Sequence, residues 1–359
     1  MQRIIISCKT LLKGGAEKQA LILSKLLTEN KIDTILINWY RDKIDPGYLK
    51  YIEDHSIKYF TLEGNLVEKF FHFLKIIKEK KINVILSYLT LSNFLSGLTK
   101  IFVKDVVTIG GIRNEKLPYH KFFFEKLVHN FLNDATVFNN FSAGKKFVHR
   151  GFKSEKIYVI HNAIENPKKV IRAKRLDSEI RILTVSRFVE QKDFRTALYS
   201  FKSLVDRNKD KCLSYYIVGF GPLENEIKSL AAHLNIVDRV KIFINPSNIP
   251  DIIKECDIYL STSLFEGLSN SLMEAMVFGL PIVATDVGDN SYLIKDGING
   301  YLVGCKDIDS IVEKLNNLIG SEELRNRFGE FSQDKIMREF SNDNMQTSYL
   351  TLLSKFQKL

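Results

Sequence analysis

Cysteines are scarce in this sequence, and long apolar runs are absent. The four cysteines are Cys8, Cys212, Cys256 and Cys305. Their wide separation excludes a disulfide framework and a Cys-x-x-Cys metal site, so we interpret them as buried thiols. No stretch of about 20 apolar residues is free of polar interruptions, and we therefore expect no membrane-spanning helix. The apolar run at 4–6 is too short for a signal peptide and predicts a first buried strand in a cytoplasmic protein.

Acidic residues are under-represented in the first half of the chain. The net charge is +10, and residues 1–165 hold 26 Lys and Arg against 16 Asp and Glu, whereas the remainder holds 26 of each. Such asymmetry predicts an anionic partner, which would be membrane lipid, a lipid-linked phosphate or nucleic acid. A basic face that contacts only solvent is the alternative. Nothing resembles an RNA- or DNA-binding motif, so we expect no nucleic-acid partner.

Short apolar runs alternate with longer amphipathic stretches, which predicts parallel strands joined by crossover helices. A length of 359 residues suits two such domains of roughly 150–200 residues each. We place their boundary in the charged, proline-containing connection 165–175. The prediction is an N-terminal domain at 1–168 and a C-terminal domain at 169–341, with the last segment, 342–359, packing back on the first domain.

The predicted strands are 3–8, 34–39, 83–87, 106–110, 135–138, 157–160, 180–186, 213–219, 240–244, 258–261, 281–285 and 301–303. The predicted closing helices are 308–320, 322–329 and 342–357. In doubly wound sheets, ligands bind beyond the carboxyl ends of the strands, where helix N-termini offer N–H donors. The strand-to-helix turns are therefore the candidate sites.

The most informative turn is Ser263–Met276, which follows the predicted strand 258–261. It places two carboxylates, Glu266 and Glu274, eight positions apart around a helix start. Gly267 allows a sharp turn, and the small polar residues after it can cap the helix. The two carboxylates can then accept hydrogen bonds from the hydroxyls of a polyol. The alternative is a capping box from Ser271 to Glu274.

The run from Glu266 to Glu274 resembles the Glu-x7-Glu signature of the retaining glycosyltransferases of family four, which have the GT-B fold of two Rossmann-like domains facing a cleft. Two further blocks, Ala284–Gly288 and Asp296–Val303, are similar to C-terminal blocks of that family. The resemblance implies that Glu266 contacts the transferred sugar and that Glu274 binds the ribose of a nucleotide. Most of the C-terminal domain matches in order.

A second turn, Ser186–Asp193, places the cations Arg187 and Lys192 after a strand and before an amphipathic helix. Two cations at a helix start suit a diphosphate, although loop cations are commonly surface residues. The resemblance assigns both to the phosphates of the donor, where they stabilise the charge that develops as the sugar departs. It implies the following donor-binding set: Gly14, Gly15, Arg187, Lys192, Gly219, Glu266, Gly267, Leu268, Ser269, Asn270 and Glu274.

Glycines occur at two other turns. Gly14 and Gly15 open the first predicted helix, where backbone N–H groups can approach an anion, or where they simply make a tight turn. The pattern is not Gly-x-Gly-x-x-Gly, which argues against a nicotinamide or flavin dinucleotide. The family has a glycine pair here, near donor and acceptor. Gly219 belongs to a turn that resembles the family's glycine-rich turn and approaches the nucleotide through its backbone.

The sequence departs from the family in the loop after the fourth strand of the first domain. Many members carry a histidine there, facing the reacting sugar, whereas Arg113 takes that position here. An arginine is no base at neutral pH, but it can hold an acceptor phosphate or the donor. His120 is a weaker candidate and is more simply a surface residue. Asp289 and Tyr292 stand where the family more often has Gly and Glu.

A lone Asp-x-Asp occurs at Asp307 and Asp309, where it begins a helix. Aspartate is a favoured helix cap, so we interpret the pair as capping rather than as a metal site. The resemblance implies the same conclusion, because Arg187 and Lys192 neutralise the diphosphate without a divalent ion. We expect no metal and no cofactor, since the nucleotide-sugar is a substrate.

Two predicted helices, 66–81 and 119–132, combine aromatic residues with lysines. Basic helices of this kind can lie on anionic bilayers. The spacing of Phe123, Leu127 and Phe131 equally suits a face that packs on the core. We therefore keep both interpretations: peripheral contact of the N-terminal domain with the inner face of the cell membrane, and ordinary core packing.

Together these features predict a retaining, metal-independent glycosyltransferase. Its donor is a UDP- or GDP-sugar, its acceptor is a saccharide or a lipid-linked saccharide, and its catalytic residues are Glu266, Arg187, Lys192 and Arg113. A role in surface polysaccharide or lipopolysaccharide synthesis is a family-level expectation. The alternatives are a sugar-nucleotide epimerase or hydrolase of the same fold and a non-catalytic basic protein that binds nucleic acid.

Overall fold

A computed structural model describes residues 2–113, 117–164, 170 and 178–356 of the chain. The chain divides into two compact units, residues 1–165 with 342–359 and residues 166–341. The predicted connection 165–175 and the predicted boundary at residues 168 and 169 lie outside the described residues, except for Val170.

The first unit has, among its described residues, a seven-stranded parallel sheet of order β3-β2-β1-β4-β5-β6-β7. Its strands are β1 (Arg3–Cys8), β2 (Asp33–Asn38), β3 (Lys58–Thr61), β4 (Val84–Tyr88), β5 (Val107–Ile112), β6 (Ala135–Phe138) and β7 (Ile157–Val159). Its helices up to the boundary are α1 (Gly15–Glu29), α2 (Pro46–Asp54), α3 (Leu66–Glu79), α4 (Thr90–Leu98), α5 (Tyr119–Leu127) and α6 (Phe141–His149). Helices cover both faces of this sheet: Ile4 and Ile6 of the central strand β1 pack in a cluster with α1, Ile5 packs in a cluster with α3, and all three are fully buried.

The second unit has, in its described part, a six-stranded parallel sheet of order β10-β9-β8-β11-β12-β13. Its strands are β8 (Ile180–Val185), β9 (Leu213–Gly219), β10 (Val240–Ile244), β11 (Ile258–Ser261), β12 (Ile282–Thr285) and β13 (Gly300–Val303). Its helices are α7 (Phe194–Arg207), α8 (Glu224–His233), α9 (Ile249–Lys254), α10 (Asn270–Val277), α11 (Asn290–Leu293), α12 (Ile308–Gly320) and α13 (Glu322–Glu339). The two sheets confirm the predicted α/β fold of two Rossmann-like domains.

The last helix, α14 (Asn342–Ser354), belongs to the first unit. Met345, Tyr349, Leu352 and Leu353 are buried in the apolar cluster that also contains Leu23 of α1. The first unit is therefore built from both ends of the chain.

Two elements differ from the sequence-based expectation. Strand β3 was not predicted, because it is a short edge strand in which exposed Lys58 and Phe60 alternate with half-buried residues. Helix α13 runs to Glu339, whereas Gly329 predicted its end. Gly329 serves a close contact instead, since a Cβ there would lie 2.1 Å from the carbonyl oxygen of Gly279.

The cysteine prediction is correct for half of the cysteines. Cys8 and Cys256 are buried, whereas Cys212 and Cys305 are exposed. Among the helices that the structure describes, none combines the length and the apolar character needed to cross a membrane.

Candidate functional site

The buried carboxylate of Glu266 is the centre of the candidate site in the second unit. Glu266 lies in the loop between β11 and α10, and its side chain is 9% exposed. Lys192 Nζ forms an ion pair with Glu266 Oε1, and Ser263 Oγ donates to the same oxygen at 2.7 Å. Because a buried carboxylate is stable only when it is paired and hydrogen-bonded, these two partners explain how the loop holds a charge in a nearly dry position.

Lys192 reaches Glu266 because the loops after β8 and β11 are joined. Leu264 N–H donates to Gln191 O at 2.8 Å, and Gln191 Nε2 donates to Phe265 O at 2.7 Å. Thr262 Oγ1 lies 2.9 Å from the carbonyl oxygen of Lys192, to which it donates. Strands β8 and β11 are neighbours at the point where the strand order reverses. The ion pair therefore bridges the topological switch point, where doubly wound sheets bind ligands.

A third loop, after β12, supports the Glu266 loop from its own side. Gly288 has φ +59°, and a Cβ there would lie 2.2 Å from the carbonyl oxygen of Glu266. Asp289 N–H donates to Gly267 O at 3.2 Å, and Thr285 Oγ1 donates to Ser263 O at 2.6 Å. Only glycine fits at position 288 without moving the Glu266 loop.

The turn after β9 reaches the same edge of the sheet. A Cβ on Gly219 would lie 1.8 Å from the carbonyl oxygen of Ser186, so the two strand ends are in direct backbone contact. Phe188 N–H donates to Phe220 O at 2.8 Å and fixes this approach. Gly219 at the end of β9 and the loops that contain Lys192, Glu266 and Gly288 thus all lie at the carboxyl ends of strands of one sheet.

Glu274 lies in α10, which follows the Glu266 loop. The cap of α10 is Ser269, whose hydroxyl accepts from Leu272 N–H at 3.4 Å. The alternative capping box from Ser271 to Glu274 is therefore wrong. Burial, and the charges of Glu266 and Glu274 as well, raise the pKa of the Tyr259 phenol on β11. The Tyr259 hydroxyl donates to Val185 O at 3.0 Å.

The remaining predicted residues of this unit occupy different surroundings. Arg187 is exposed, and none of the described residues forms an ion pair with its guanidinium. Gly267 and Asn270 are half-buried and Leu268 is buried. Sequence reasoning missed Ser263 as a partner of Glu266 and Tyr259 as the group beneath α10; a tyrosine on a predicted core strand was the available signal, since its hydroxyl needs a partner.

Asp307 caps α12, because its carboxylate accepts from Ser310 N–H at 3.0 Å and from Ser310 Oγ at 2.7 Å. The capping interpretation of Asp307 is confirmed. Within the described ranges there is no group of three or more His, Cys, Asp or Glu side chains arranged to hold a metal ion.

In the first unit, Gly14 and Gly15 open α1 at the carboxyl end of β1. Gly14 has extended backbone, and its carbonyl oxygen accepts from Tyr48 Oη at 3.3 Å. A Cβ on Gly14 would lie 2.3 Å from a carboxylate oxygen of Glu17. The acidic side chain of the first turn therefore lies directly against the glycine pair, and burial raises its pKa.

Arg113 follows β5 and lies within the first unit. Its Nη2 donates to Tyr349 Oη of α14 at 3.0 Å, and its guanidinium carbon lies 4.7 Å from the ring centroid of Tyr88. His120, by contrast, is exposed on α5, in agreement with a surface residue. The loop residues Asn114 and Glu115, which follow Arg113, lie outside the described residues.

Comparison with known proteins adds to this geometry. Residues 166–335 match the family described as glycosyl transferases group 1. The amylovoran biosynthesis glycosyltransferase AmsK of Erwinia amylovora is 31% identical over 186 residues, which cover 49% of this chain and 45% of that protein. The match therefore spans about half of this chain and about half of AmsK.

A relative in Campylobacter jejuni matches over 99% of both chains, at 23% identity. Its name is GalNAc-alpha-(1->4)-GalNAc-alpha-(1->3)-diNAcBac-PP-undecaprenol alpha-1,4-N-acetyl-D-galactosaminyltransferase. Among solved structures, Anabaena Alr3699/HepE in complex with UDP has a TM-score of 0.84 at 16% identity, covering 99% of this chain and 100% of that one. TarM has a TM-score of 0.80 at 14% identity, covering 100% and 99%. At these identities, the structural likeness shows the fold.

Proposed function

We propose that the chain is a retaining glycosyltransferase, because residues 166–335 match the glycosyl transferases of group 1 and the two units have the GT-B fold. It moves a sugar from a UDP- or GDP-sugar onto a saccharide or lipid-linked acceptor in the synthesis of a surface glycan. The observation that supports this most directly is the Lys192–Glu266 ion pair at the switch point of the second sheet. The name of the Campylobacter relative, which includes a diphosphate-linked undecaprenol, supports a lipid-linked acceptor.

The donor site would use its charges in two ways. Arg187 has no ionic partner among the described residues, so its full positive charge is available to a diphosphate. Lys192 already neutralises Glu266 and would contribute N–H donors more than net charge. Glu266 accepts hydroxyl hydrogen bonds from the sugar, and Glu274 accepts them from the ribose. Because Arg187 supplies charge and Lys192 supplies N–H donors, we propose that no divalent ion is needed and that activity survives a chelator.

No covalent nucleophile is part of the proposed reaction. The acceptor hydroxyl attacks the anomeric carbon on the face from which the nucleotide departs, and the departing phosphate oxygen takes the hydroxyl proton. The new bond thus forms on the side of the broken one, and the configuration is retained. Arg187 and Lys192 stabilise the negative charge that develops on the leaving diphosphate.

Calorimetric titration of UDP and GDP tests the donor site. We expect one nucleotide to bind at micromolar affinity and Glu274→Ala to weaken it, whereas Glu330→Ala, an exposed carboxylate on α13, leaves binding unchanged. If neither nucleotide binds to the folded protein, the proposal fails. Turnover of the donor at full rate without an acceptor would instead indicate an epimerase or hydrolase.

We also propose that the first unit contacts an anionic membrane from the cytoplasmic side. The aromatic stripe of α5 and the π-helical turn after it consists of Tyr119, Phe123, Phe124, Leu127 and Phe131. The core-packing interpretation is wrong here, because Phe123 is 51% exposed and Phe131 is 74% exposed. Lys121 lies exposed on the same helix, and Lys153 Nζ lies 5.8 Å from the ring centroid of Phe131. Aromatic side chains bordered by lysines suit the headgroup region of an anionic bilayer.

Sedimentation with vesicles tests this contact. We expect the protein to sediment with phosphatidylglycerol-containing vesicles and to lose most of that binding in the double variant Phe124→Ser, Phe131→Ser. Phe331→Ser is the control, since Phe331 is 48% exposed, close to the 51% of Phe124, but lies on α13 of the second unit. Failure of the wild-type protein to sediment with anionic vesicles would remove the membrane from the proposal and leave the transferase untouched.

A further inference from the structure

Arg113 is a largely buried cation, and its partners among the described residues are all neutral. Its Nη2 donates to Tyr349 Oη at 3.0 Å, and its Nη1 lies at 3.5 Å from Asn162 Oδ1. The guanidinium stacks on Tyr88, while Nε is buried and makes no hydrogen bond. No carboxylate of the described part of the chain forms an ion pair with it.

This arrangement is electrostatically incomplete. An arginine keeps its charge at neutral pH, and a charge removed from water is stable only when it is paired. Two phenols and one amide orient dipoles toward the guanidinium but supply no negative charge. Since part of the Arg113 side chain remains accessible, an anion from solution can complete the pairing.

The position of Arg113 in the fold is a ligand-binding position. The strand order of the first sheet reverses between β1 and β4, and Cys8 and Tyr88 are register partners at the ends of those strands. Arg113 follows the adjacent strand β5 and stacks on Tyr88. Ligands of doubly wound sheets bind at the carboxyl end of such a switch point.

Tyr349 holds the guanidinium in place from a distant part of the sequence. It lies on α14, is 3% exposed, and its hydroxyl is 3.4 Å from that of Tyr88. The ring of Tyr88 packs on one face of the guanidinium, and the hydroxyl of Tyr349 accepts from its edge. The two tyrosines therefore restrict both the plane and the direction of the Arg113 fork.

We propose that Arg113 binds a phosphate or diphosphate group of the acceptor and that Tyr349 is its positioning residue. The inference rests on the proposed function and names the acceptor class that the first unit takes. The planar fork of arginine matches a phosphate with two parallel N–H donors. The donor diphosphate already has Arg187 and Lys192 in the second unit, so the cation of the first unit is left for the second substrate.

The first arm of the test measures binding without turnover. The full chain is saturated with UDP or GDP, which occupies the donor site, and is titrated calorimetrically with inorganic pyrophosphate. We expect wild-type protein to bind pyrophosphate, Arg113→Met to lose binding, and Arg113→Lys and Tyr349→Phe to bind roughly three- to tenfold more weakly. Tyr215→Phe is the matched control, because Tyr215 is also buried and hydrogen-bonded, at 2.7 Å to Thr184 Oγ1.

The second arm uses kinetics to distinguish the source of the phosphate. With a lipid-diphosphate-linked acceptor, Arg113→Met is expected to raise the acceptor KM roughly ten- to a hundredfold and to leave the donor KM unchanged. With the same saccharide lacking phosphate, the variant and the wild type are expected to have equal KM. A rise in the donor KM of Arg113→Met, with the acceptor KM unchanged, would instead assign Arg113 to the donor diphosphate and overturn the inference.

Failure of the anion subsite and failure of the proposed function give different results. Absence of pyrophosphate binding to the nucleotide-saturated wild type overturns the anion subsite, even if sugar transfer is robust. If no nucleotide binds, the proposed function is overturned. Even then, pyrophosphate binding by the wild type but not by Arg113→Met would establish the anion subsite. The conservative variants Arg113→Lys and Tyr349→Phe keep the test valid if Arg113→Met does not fold.

Discussion

Removing the charge of Lys192 is expected to destabilise the second unit by about 3 kcal/mol. The side chains of Lys192 and Glu266 are 14% and 9% exposed, so Lys192→Met would leave a buried carboxylate without its ionic partner. Breaking a buried pair from one side costs about 3–5 kcal/mol. The hydroxyl of Ser263 remains as a donor to Glu266, which places the expected loss at the lower end of that range.

A double-mutant cycle separates the pair from its surroundings. Lys192→Met combined with Glu266→Gln removes both charges, so the combined loss is expected to fall about 2 kcal/mol below the sum of the single losses. The control pair is Lys202 and Asp206, joined at 2.6 Å on the surface of α7. Breaking that exposed pair is expected to cost less than about 0.5 kcal/mol.

The assay must report the second unit by itself. The single tryptophan, Trp39, lies in the first unit, so its fluorescence follows the wrong part of the chain. Amide hydrogen exchange of peptides from α7 and α10 gives the opening free energy of the second unit directly. If the losses at Lys192 and Glu266 add to within about 0.5 kcal/mol, the two side chains are not coupled and the described ion pair is refuted.

Three further predictions concern single substitutions. Arg187→Ala is expected to lower kcat/KM roughly ten- to a hundredfold, because a charge-assisted contact to the leaving diphosphate is lost. Arg327→Ala is the control. Steady-state rates of Arg187→Ala within twofold of wild type would contradict the assignment of Arg187 to the diphosphate. Gly288→Ala is expected to lower the stability of the second unit by more than about 1 kcal/mol, since φ is +59° and the new Cβ would lie 2.2 Å from Glu266 O. Gly320→Ala is the control, because a Cβ there meets nothing within 4 Å. Equal hydrogen-exchange protection of α10 in both variants would refute the close approach. Burial raises the pKa of Glu125 from 4.5 to about 7. Between these values the folded state binds more protons than the unfolded state, so the free energy of unfolding falls as the pH rises, by about 3 kcal/mol in total. Glu125→Gln should remove this dependence in urea unfolding followed by Trp39 fluorescence, and an unchanged pH slope in the variant would contradict it.

The strands were predictable because local sequence determines them. In the central strands β9 and β11, apolar and β-branched runs bounded by turn residues give the bounds residue by residue. Strand β3 could not be predicted, because an edge strand needs no apolar run. Its strand conformation comes from its pairing with β2. The end of α13 was misplaced at Gly329, because the neighbour that explains this glycine is Gly279, 50 positions earlier in the chain.

The sequence identified several residues of the candidate site but not the contacts between them. The spacing of Glu266 and Glu274 identified the loop, yet the ion pair of Glu266 joins residues 74 positions apart. Arg113 and Tyr349 are 236 positions apart, and no local pattern connects them. For the aromatic stripe of α5, helical spacing showed that the side chains share a face, but it did not show which face of α5 packs on the sheet.

The assignment of α14 to the first unit has a consequence for the order in which the chain matures. During synthesis, residues 166–341 leave the ribosome with every strand and helix of the second unit, which can then fold as a whole. The first unit waits until α14 has been made, because Met345, Leu352 and Leu353 complete its apolar core. The unit translated first is therefore finished last, and Arg113 acquires its hydrogen bond to Tyr349 only in that final step. A nascent chain can therefore hold the Lys192–Glu266 ion pair of the second unit before Arg113 has its contact with Tyr349.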